Sequence, residues 1–471
     1  MIERLSLGAR EPRDIASLAL YRIVFGLLMF AAVVRWFAYG WIHDFYIAPS
    51  FHFTYIGMEW IAPLPEPAMY GLFAALGVLA LAIAAGFLYR LSATLFWLGF
   101  TYVELIDQTT YLNHYYLVSL VVGMMIFMPL HRAWSIDAWL RPALRCDRVP
   151  AWCLTALRVQ VGLVYFYAGV AKLHPDWLLD AQPLTIWLSA NSDLSLLGLP
   201  LGAHLSEPWV PYAASWMGAL FDLTIVGWLL WPRSRPYAFV AAVIFHLATV
   251  KLFYLGLFPW LMIANATLFF RPDWPRRLTR SVLARWRERP VAAAATEPGP
   301  PVRRPSPWAR VGLAILTLHL AAQLVLPLRH VLYPGDVCWT EEGFAFSWRV
   351  MLVEKAGYVR FYVSDPNSGR TSLVYPTEYL VPRQARMMAT QPDMILQLAH
   401  HIAADYRARG HDRVEVRVEA YVSWNGRPSV PLVDEQVDLA VQRRGLQAYS
   451  WIAPSPDAQL APPGDRRADR R

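Results

Sequence analysis

Long apolar segments separated by short polar stretches make up the first two thirds of this chain. A helix that crosses a bilayer needs about 20 apolar residues, and nine segments approach this length. They predict helices near residues 16–38, 68–89, 92–107, 115–131, 153–173, 211–231, 236–252, 254–270 and 309–328. The pattern therefore predicts an α-helical membrane bundle of about nine transmembrane helices.

The pattern changes after residue 330, where short alternating segments replace the long apolar ones. Strict alternation of apolar and polar residues predicts β-strands. The predicted strands cover residues 344–353, 358–363, 372–375 and 414–424. Turn-forming residues at 365–369 and at Asn425-Gly426 separate them, and residues 381–409 have helical periodicity. We therefore expect a small α+β extramembrane domain.

Arginine and lysine residues alternate between successive connecting segments. They concentrate in residues 1–13, 132–148, 233–235 and 271–310, and none occurs in 40–67, 108–114 or 174–210. Positively charged loops remain on the cytoplasmic side of a membrane. The N-terminus is therefore predicted inside, and the chain after residue 330 outside.

These patterns divide the chain into five parts. They are an eight-helix membrane catalytic block (1–270), a basic cytoplasmic linker (271–308), a last transmembrane helix (309–328), an outer-face α+β domain (330–455) and a disordered tail (456–471).

The predicted topology can be tested with reporter fusions. Fusions after residues 300 and 440 should report opposite sides of the membrane, because the arginine-rich linker and the final domain are placed on opposite sides. Alkaline phosphatase and fluorescent-protein activities measure this directly. Two fusions that report the same side would contradict the topology.

The composition agrees with a membrane protein. Of 471 residues, 56% are hydrophobic and 21 are tryptophan, which is unusual for a soluble domain. The net charge of +8 reflects the cytoplasmic segments, so nucleic acid is not an expected partner. The three cysteines give no disulfide framework, and the sequence has no metal-ligand spacing.

Ionisable residues inside the apolar segments are the main candidates for function, because a charge in hydrocarbon is costly. Lys172 ends the fifth segment, and burial there favours a neutral amine that can act as a base. An ammonium group that extends to the interface is the alternative. The predicted topology places five further polar residues at a similar depth: Asp107, Asn113, His114, His246 and Lys251.

These residues also have structural interpretations. Asp107 and Asn113 suit helix caps, and His246 suits a hydrogen-bonded core histidine. Arg22 suits a structural pair with Asp222 or Glu104 inside the bundle.

Short motifs along nearly the whole chain resemble one known family. They include Ala16-Ser17-Leu18-Ala19, Asp107-Gln108-Thr109, Asn113-His114-Tyr115-Tyr116-Leu117, Ala168-Gly169-Val170-Ala171-Lys172-Leu173, Phe245-His246, Trp274-Pro275-Arg276-Arg277-Leu278 and Phe346-Ser347-Trp348-Arg349-Val350-Met351. No single motif is diagnostic, but their order is specific. The chain resembles the vitamin K-dependent γ-glutamyl carboxylases, in a bacterial-type form.

The resemblance implies an enzyme that oxygenates reduced vitamin K (phylloquinol or menaquinol) to its epoxide. In this family the oxidation yields a base that removes a γ-proton from a protein glutamate, and the carbanion adds CO2. O2 and CO2 are then co-substrates, and neither a metal nor a flavin is expected. The implied partners are a glutamate-containing protein or peptide and the quinone pool of the membrane lipid.

The resemblance also implies residue roles, and the arginine-rich loops indicate a location. Lys172 matches the lysine that is the family's base, and His114 matches its active-site partner. The expected quinol and substrate pocket comprises Asn113, Asp107, His246, Arg22, Asp222, Lys251, Trp348, Arg349 and Trp424. For Trp348, Arg349 and Trp424 the alternative is a role in the core of the outer domain and in its packing against the helices. The expected location is a bacterial inner membrane, with the C-terminal domain on the periplasmic side.

Two other functions fit part of the sequence. Animal members of the family often have a second lysine where Ala171 stands, and a disulfide that this chain cannot form. A quinol epoxidase that does not carboxylate glutamate is therefore one alternative. A membrane transporter is the other, although transporters show two related halves and this chain has no internal repeat.

Overall fold

The computed structural model describes residues 11–195, 200, 202–253, 255–286 and 307–460. The longer helices before residue 330 are α1 (Ala16–Ala38), α2 (Glu66–Ala85), α3 (Tyr89–Ile106), α4 (Asn113–Phe127), α5 (Ala151–Ala171), α6 (Trp209–Leu230), α7 (Arg235–Phe253), α8 (Phe258–Thr267), α9 (Trp274–Trp286) and α10 (Pro307–Val325). Each of the nine predicted apolar segments contains one of these helices, and α9 lies in the predicted linker. Residues 287–306 of that linker lie outside the described residues.

Shorter helical turns connect these helices and continue into the C-terminal part. They are His43–Ile47, Gln108–Thr110, Leu130–Arg132, Ile136–Leu140, Pro142–Leu144, Pro175–Leu178, Leu184–Ser189, Gly202–Leu205, Leu326–Leu332, Val337–Thr340, Pro376–Glu378, Leu439–Val441 and Pro456–Leu460.

Among the described residues, six helices are long and apolar enough to cross a membrane: α1, α2, α5, α6, α7 and Val311–Leu332. Helix α4 has 15 residues and α8 has 10. Ten residues rise about 15 Å, half the thickness of the hydrocarbon core. The chain is therefore a multi-pass membrane protein, but the predicted count of about nine spans is not established.

The membrane helices pack closely where small residues allow it. Helix α1 packs against α2 and α8, and α5 packs against α6 and α10. A Cβ atom at Gly26 would lie 2.6 Å from the carbonyl oxygen of Ala80 and 2.6 Å from the amide nitrogen of Ala84. Only glycine allows α1 and α2 to approach so closely.

Residues 337–460, which we call the C-terminal region, cover one end of the bundle. They contact three membrane-side loops through Arg444 with Thr54, Gln384 with Asp107, and Arg427 with Asp176. These contacts fall in or beside the segments that lack lysine and arginine.

The arginine-rich segments meet at the opposite end. There β1 (Pro12–Asp14) pairs with β2 (Arg148–Pro150), and Arg276 lies 3.1 Å from Asp14. The charge asymmetry of the sequence therefore corresponds to two ends of the bundle. Which end faces the cytoplasm stays a prediction.

The C-terminal region contains a four-stranded antiparallel sheet. Its strands are β3 (Lys355–Asp365), β4 (Arg370–Val374), β5 (Glu415–Trp424) and β6 (Val430–Pro431), in the order β4-β3-β5-β6. Alternate residues of β5 are buried, because successive side chains point to opposite faces. That buried face shares a core with α12 (Pro392–Ala408), which follows the shorter α11 (Pro382–Met388).

Two predictions for the strands and helices of this region require correction. Residues 344–353 form no strand; Phe346, Trp348 and Met351 have positive φ angles, and the segment contacts membrane helices instead of a neighbouring strand. The predicted helix 381–409 is two helices, because Pro392 has no N–H group to continue the first.

The predicted disordered tail begins with a short helix, Pro456–Leu460. Asp457 in that helix lies 2.8 Å from Arg427, which holds it on the sheet end. Residues 461–471 lie outside the described residues.

Candidate active site

Lys172 lies at the C-terminal end of α5, in the end of the bundle that the C-terminal region covers. Its Nζ lies 2.8 Å from Oδ2 of Asp222 in α6 and 3.3 Å from the carbonyl oxygen of Ala168. The ring of Trp177 lies 5.2 Å away. Lys172 is 6% exposed, so its amine is desolvated and does not extend to water.

The Lys172–Asp222 pair sets the protonation chemistry of the site. Burying two opposite charges is costly, and their attraction offsets the cost only with good geometry. As an ammonium ion, Lys172 must release a proton before it can act as a base. Asp222 is the carboxylate placed to accept that proton.

Replacing Asp222 tests the strength of this pair. Asp222→Leu should lower the free energy of unfolding by about 3–5 kcal/mol, because it leaves a buried charge without its partner. The double variant Lys172→Met/Asp222→Leu should recover much of that loss, since neither charge remains. Thermal unfolding in detergent measures both. A double variant that is no more stable than Asp222→Leu would show that the loss does not come from the unpaired charge of Lys172.

A row of ring contacts begins at Phe221, the sequence neighbour of Asp222, and includes the two histidines. Phe221, next to Asp222, lies 6.2 Å from the ring of His246. Phe258 lies 5.9 Å from His246 and 5.9 Å from His114. These ring contacts join His246 to His114, and Lys172 is related to them through Asp222, the sequence neighbour of Phe221.

The two histidines differ in their polar partners. Nε2 of His246 lies 2.8 Å from the hydroxyl of Tyr165, while its Nδ1 is buried without a hydrogen-bond partner in the described part of the chain. His114 contacts Tyr115 and Phe258. Neither ring nitrogen of His114 forms a hydrogen bond with another described residue. His246 is thus partly satisfied, and His114 is open to a ligand.

Asn113 and Asp107 lie where α4 and its preceding loop meet the C-terminal region. The Asn113 side-chain amide donates to the Arg349 carbonyl oxygen at 3.2 Å. Asp107 accepts from the backbone of Thr109 at 2.8 Å, as its capping interpretation requires, and from Gln384 at 2.7 Å. Both residues therefore connect the His114 loop to the C-terminal region.

Arg22 and Lys251 are not brought to Lys172. Arg22 is fully buried near the other end of the bundle, where it donates to the carbonyl oxygens of Leu130 and Trp134 at 2.9 and 2.5 Å. These hydrogen bonds hold the loop that follows α4, which suits a structural role for Arg22. Lys251 is exposed at the end of α7.

Arg349 lines a cavity of about 590 Å³ between one end of the membrane helices and the C-terminal region. Its lining includes Trp187, Asn191, Leu252, Phe253, Phe344, Arg349 and Leu352. Nε of Arg349 is buried and has no hydrogen-bond partner among the residues described. A guanidinium group that lines a cavity of this size is suited to an anionic ligand.

Trp348 and Trp424 are both buried at the same junction. Trp348 stacks on Tyr116 of α4 with ring centres 5.0 Å apart. Trp424 ends β5, and the guanidinium of Arg427 lies 4.6 Å from its ring. Neither tryptophan contacts Lys172 among the described residues; Trp348 belongs to the apolar core of the membrane helices and Trp424 to that of the C-terminal region.

Two polar residues beside Lys172 were not predicted as site residues. His174 lies 2.9 Å from Asp336, and Asp176 accepts two hydrogen bonds from Arg427, each of 2.8 Å. Burial lowers the pKa of His174, but the hydrogen bond to Asp336 and the charges of Asp336 and Asp176 raise it above its ordinary value, against the opposing charge of Arg349. The His174–Asp336 pair is therefore strongest at acidic pH and is lost as pH rises through that raised pKa.

Other contributors also escaped the sequence analysis. Trp177 and Tyr165 contact Lys172 and His246, respectively. Both residues lie within or beside the motifs that carry the family resemblance. Those motifs were the sequence feature that could have identified them as site residues. Arg427 had no such signal, because its partner Asp176 is 251 positions away.

The apolar helices and the sheet-containing region that covers one end define a multi-pass membrane protein. The family model of the HTTM domain matches residues 10–274, more than half of the chain. The model of the vitamin K-dependent gamma-carboxylase, lumenal domain, matches residues 308–458. No solved structure matches the chain. The protein belongs to the vitamin K-dependent γ-glutamyl carboxylase family, which confirms the resemblance noted in its motifs.

Membership sets the substrate classes. The family uses reduced vitamin K, O2 and CO2, and it acts on glutamate-containing substrates. Within the described residues, no group of three or more histidine, cysteine, aspartate or glutamate side chains is placed to hold a metal ion.

Proposed function

We propose that this protein couples the oxygenation of reduced vitamin K to its epoxide with γ-carboxylation of glutamate residues in a protein or peptide. The observation that carries the proposal is the environment of Lys172. Its buried amine lies 2.8 Å from Asp222 at the end of a membrane helix, beside a row of aromatic rings. This is a base positioned at the boundary between lipid and a polar region.

The residues around Lys172 fit a flat, apolar quinol. Trp177, Phe221 and Phe258 supply aromatic faces. The buried, unpartnered Nδ1 of His246 supplies a polar contact for a quinol oxygen. When bound, the quinol supplies the reducing equivalents that O2 requires.

Lys172 would take a proton from a phenolic hydroxyl of the quinol. A phenol has a pKa of about 10, close to that of a lysine amine, so the transfer is nearly balanced once the amine is neutral. Asp222 would accept the proton that Lys172 first releases. His114, at the other end of the aromatic row, would orient the incoming O2.

The glutamate substrate would enter the cavity that Arg349 lines. A γ-carboxylate can accept two hydrogen bonds from one guanidinium group. Leu352 and Leu252 of the cavity wall pack in the same apolar cluster as Trp177, which contacts Lys172. The two half-reactions would therefore take place in adjoining spaces.

The decisive experiment incubates the purified protein with reduced vitamin K, O2, labelled bicarbonate and a glutamate-rich peptide. Epoxide and fixed label are scored separately. We expect both products, and fixed label only when quinol and O2 are both present. Formation of neither product would overturn the proposal.

Epoxide without fixed label would instead support the alternative, a quinol epoxidase of the same fold. One sequence feature favours that alternative: a single lysine, Lys172, stands where animal members often have two, since residue 171 is alanine.

We also propose that the protein resides in a bacterial inner membrane with the C-terminal region on the periplasmic side. The support is that the loops in contact with that region carry no lysine or arginine between 174 and 210 or between 40 and 67.

A further inference from the structure

Both candidate catalytic side chains lie beside loops that are bound to the C-terminal region. Lys172 is followed within four residues by Asp176. His114 is preceded within seven residues by Asp107. Contacts with the C-terminal region therefore help to position the loops beside Lys172 and His114.

The connection beside Lys172 is a closed set of charged and polar contacts. Asp176 accepts from Nη1 and Nη2 of Arg427, each at 2.8 Å, and from the side-chain amide of Asn425 at 2.8 Å. Its side chain is 6% exposed, and that of Arg427 is 20% exposed. Asp457 holds Arg427 from the other side at 2.8 Å. We call Asp176, Asn425 and Arg427 the Asp176 junction.

Asn425 also extends this junction to the wall of the cavity. Its side-chain oxygen accepts from the backbone N–H of Glu354 at 2.9 Å, and its own backbone N–H donates to the Glu354 carbonyl oxygen at 2.9 Å. The Glu354 carboxylate accepts from the indole of Trp187 at 2.6 Å. Trp187 and Val353, the neighbour of Glu354, both line the cavity. The cavity wall and the Lys172 loop are therefore the two ends of one chain of contacts.

The connection beside His114 runs through other residues and reaches the cavity wall at Arg349, whose carbonyl oxygen accepts from the Asn113 side chain at 3.2 Å. Arg383 donates to the carbonyl oxygen of Thr109 at 2.7 Å, and Gln384 donates to Asp107 at 2.7 Å. Neither Arg383 nor Gln384 lines the cavity. Both connections therefore reach the cavity wall, and the Asp176 junction is the one that joins it to the Lys172 loop.

We propose that Arg427 and Asn425 are positioning residues that adjust Lys172 when the glutamate substrate occupies the cavity. The inference rests on the proposed function. It adds a path of contacts through which glutamate binding would change the rate of quinol epoxidation. Ligand contacts at Trp187, Leu352 and Val353 would shift the turn that follows β5. Through Asp176, that turn moves the loop that begins directly after Lys172.

The test measures the rate of epoxide formation with and without a saturating glutamate peptide, using the full-length purified protein. In the wild type, peptide should raise this rate severalfold. Arg427→Lys keeps the charge but loses the two-pronged geometry, so the ratio of rates with and without peptide should fall towards one. Arg417→Lys, an exposed arginine on β5, is the matched control and should keep the wild-type ratio.

Asn425→Gly provides a second variant for the case in which Arg427→Lys does not fold. Asn425 has a φ of 49°, which glycine adopts without strain, so this change removes the side-chain contacts alone. The ratio of its epoxidation rates with and without peptide should also fall towards one. Melting temperatures close to the wild type would show that the fold is retained.

The outcomes separate this inference from the proposed function. A wild type that forms neither product would overturn the proposed function. A wild type that forms epoxide and fixed label with no effect of peptide on the epoxidation rate would overturn the inference alone. Folded Arg427→Lys or Asn425→Gly protein with the wild-type ratio would also overturn it.

Discussion

Lys172→Ala is expected to lower the rate of epoxide formation from reduced vitamin K by about 10²–10⁴-fold, the range for loss of a positioned general base. The physical reason is that the variant removes the amine that lies 2.8 Å from Asp222. Liquid chromatography of the quinone products measures the rate. A small added amine should restore part of it, because the substitution opens space at the site of the lost group.

Lys251→Ala is the matched control for this prediction. Lys251 is also near the end of a membrane helix, but it is exposed and has no described contact with Asp222 or the histidines. Its epoxidation rate should stay close to the wild type. Wild-type epoxidation by Lys172→Ala would exclude Lys172 as the base, and loss of carboxylation alone would place its action at a later step.

Arg349→Gln is expected to raise the KM for a glutamate peptide by about 10- to 100-fold. A hydrogen bond to a charged group contributes about 1.5–3 kcal/mol, and each 1.4 kcal/mol corresponds to about tenfold in affinity. Epoxide formation without peptide should change far less, because the described contacts of Arg349 do not reach Lys172. Peptide titrations that score fixed label and epoxide together measure both effects.

Arg370→Gln is the control for Arg349→Gln, since Arg370 begins β4 on an exposed surface. It should leave the KM unchanged. An Arg349→Gln protein with the wild-type KM would remove the cavity from consideration as the glutamate site.

Periodicity and charge predicted the membrane part of this fold well, because both act locally along the chain. Each predicted apolar segment contains a helix, and the charge-free loops gather at one end. The lengths of the helices were predicted less well. Helix α8 is ten residues long, although apolar residues continue on both sides of it. Gly256, with a φ of 58°, breaks the segment before α8 begins.

The predicted strand at 344–353 is wrong because alternation does not reveal the partner of a segment. Its apolar residues face membrane helices, and Trp348 stacks on Tyr116. Lys172 and His246 were predicted from local sequence, since each ionisable group stands out in an apolar segment. Their partners Asp222 and Tyr165 depend on how helices pack, which the sequence alone does not specify.

The sequence separation of the Asp176–Arg427 contact has a consequence for biosynthesis. The two residues lie 251 positions apart, and contacts of such long range form late in folding because loop closure costs entropy. On the ribosome, all of α1 to α10 emerges before Arg427 is made. We expect nascent chains that end before residue 425 to insert into the membrane without a fixed Lys172 loop. Catalytic competence would then be acquired only when synthesis is nearly finished, so incomplete chains would not consume quinol.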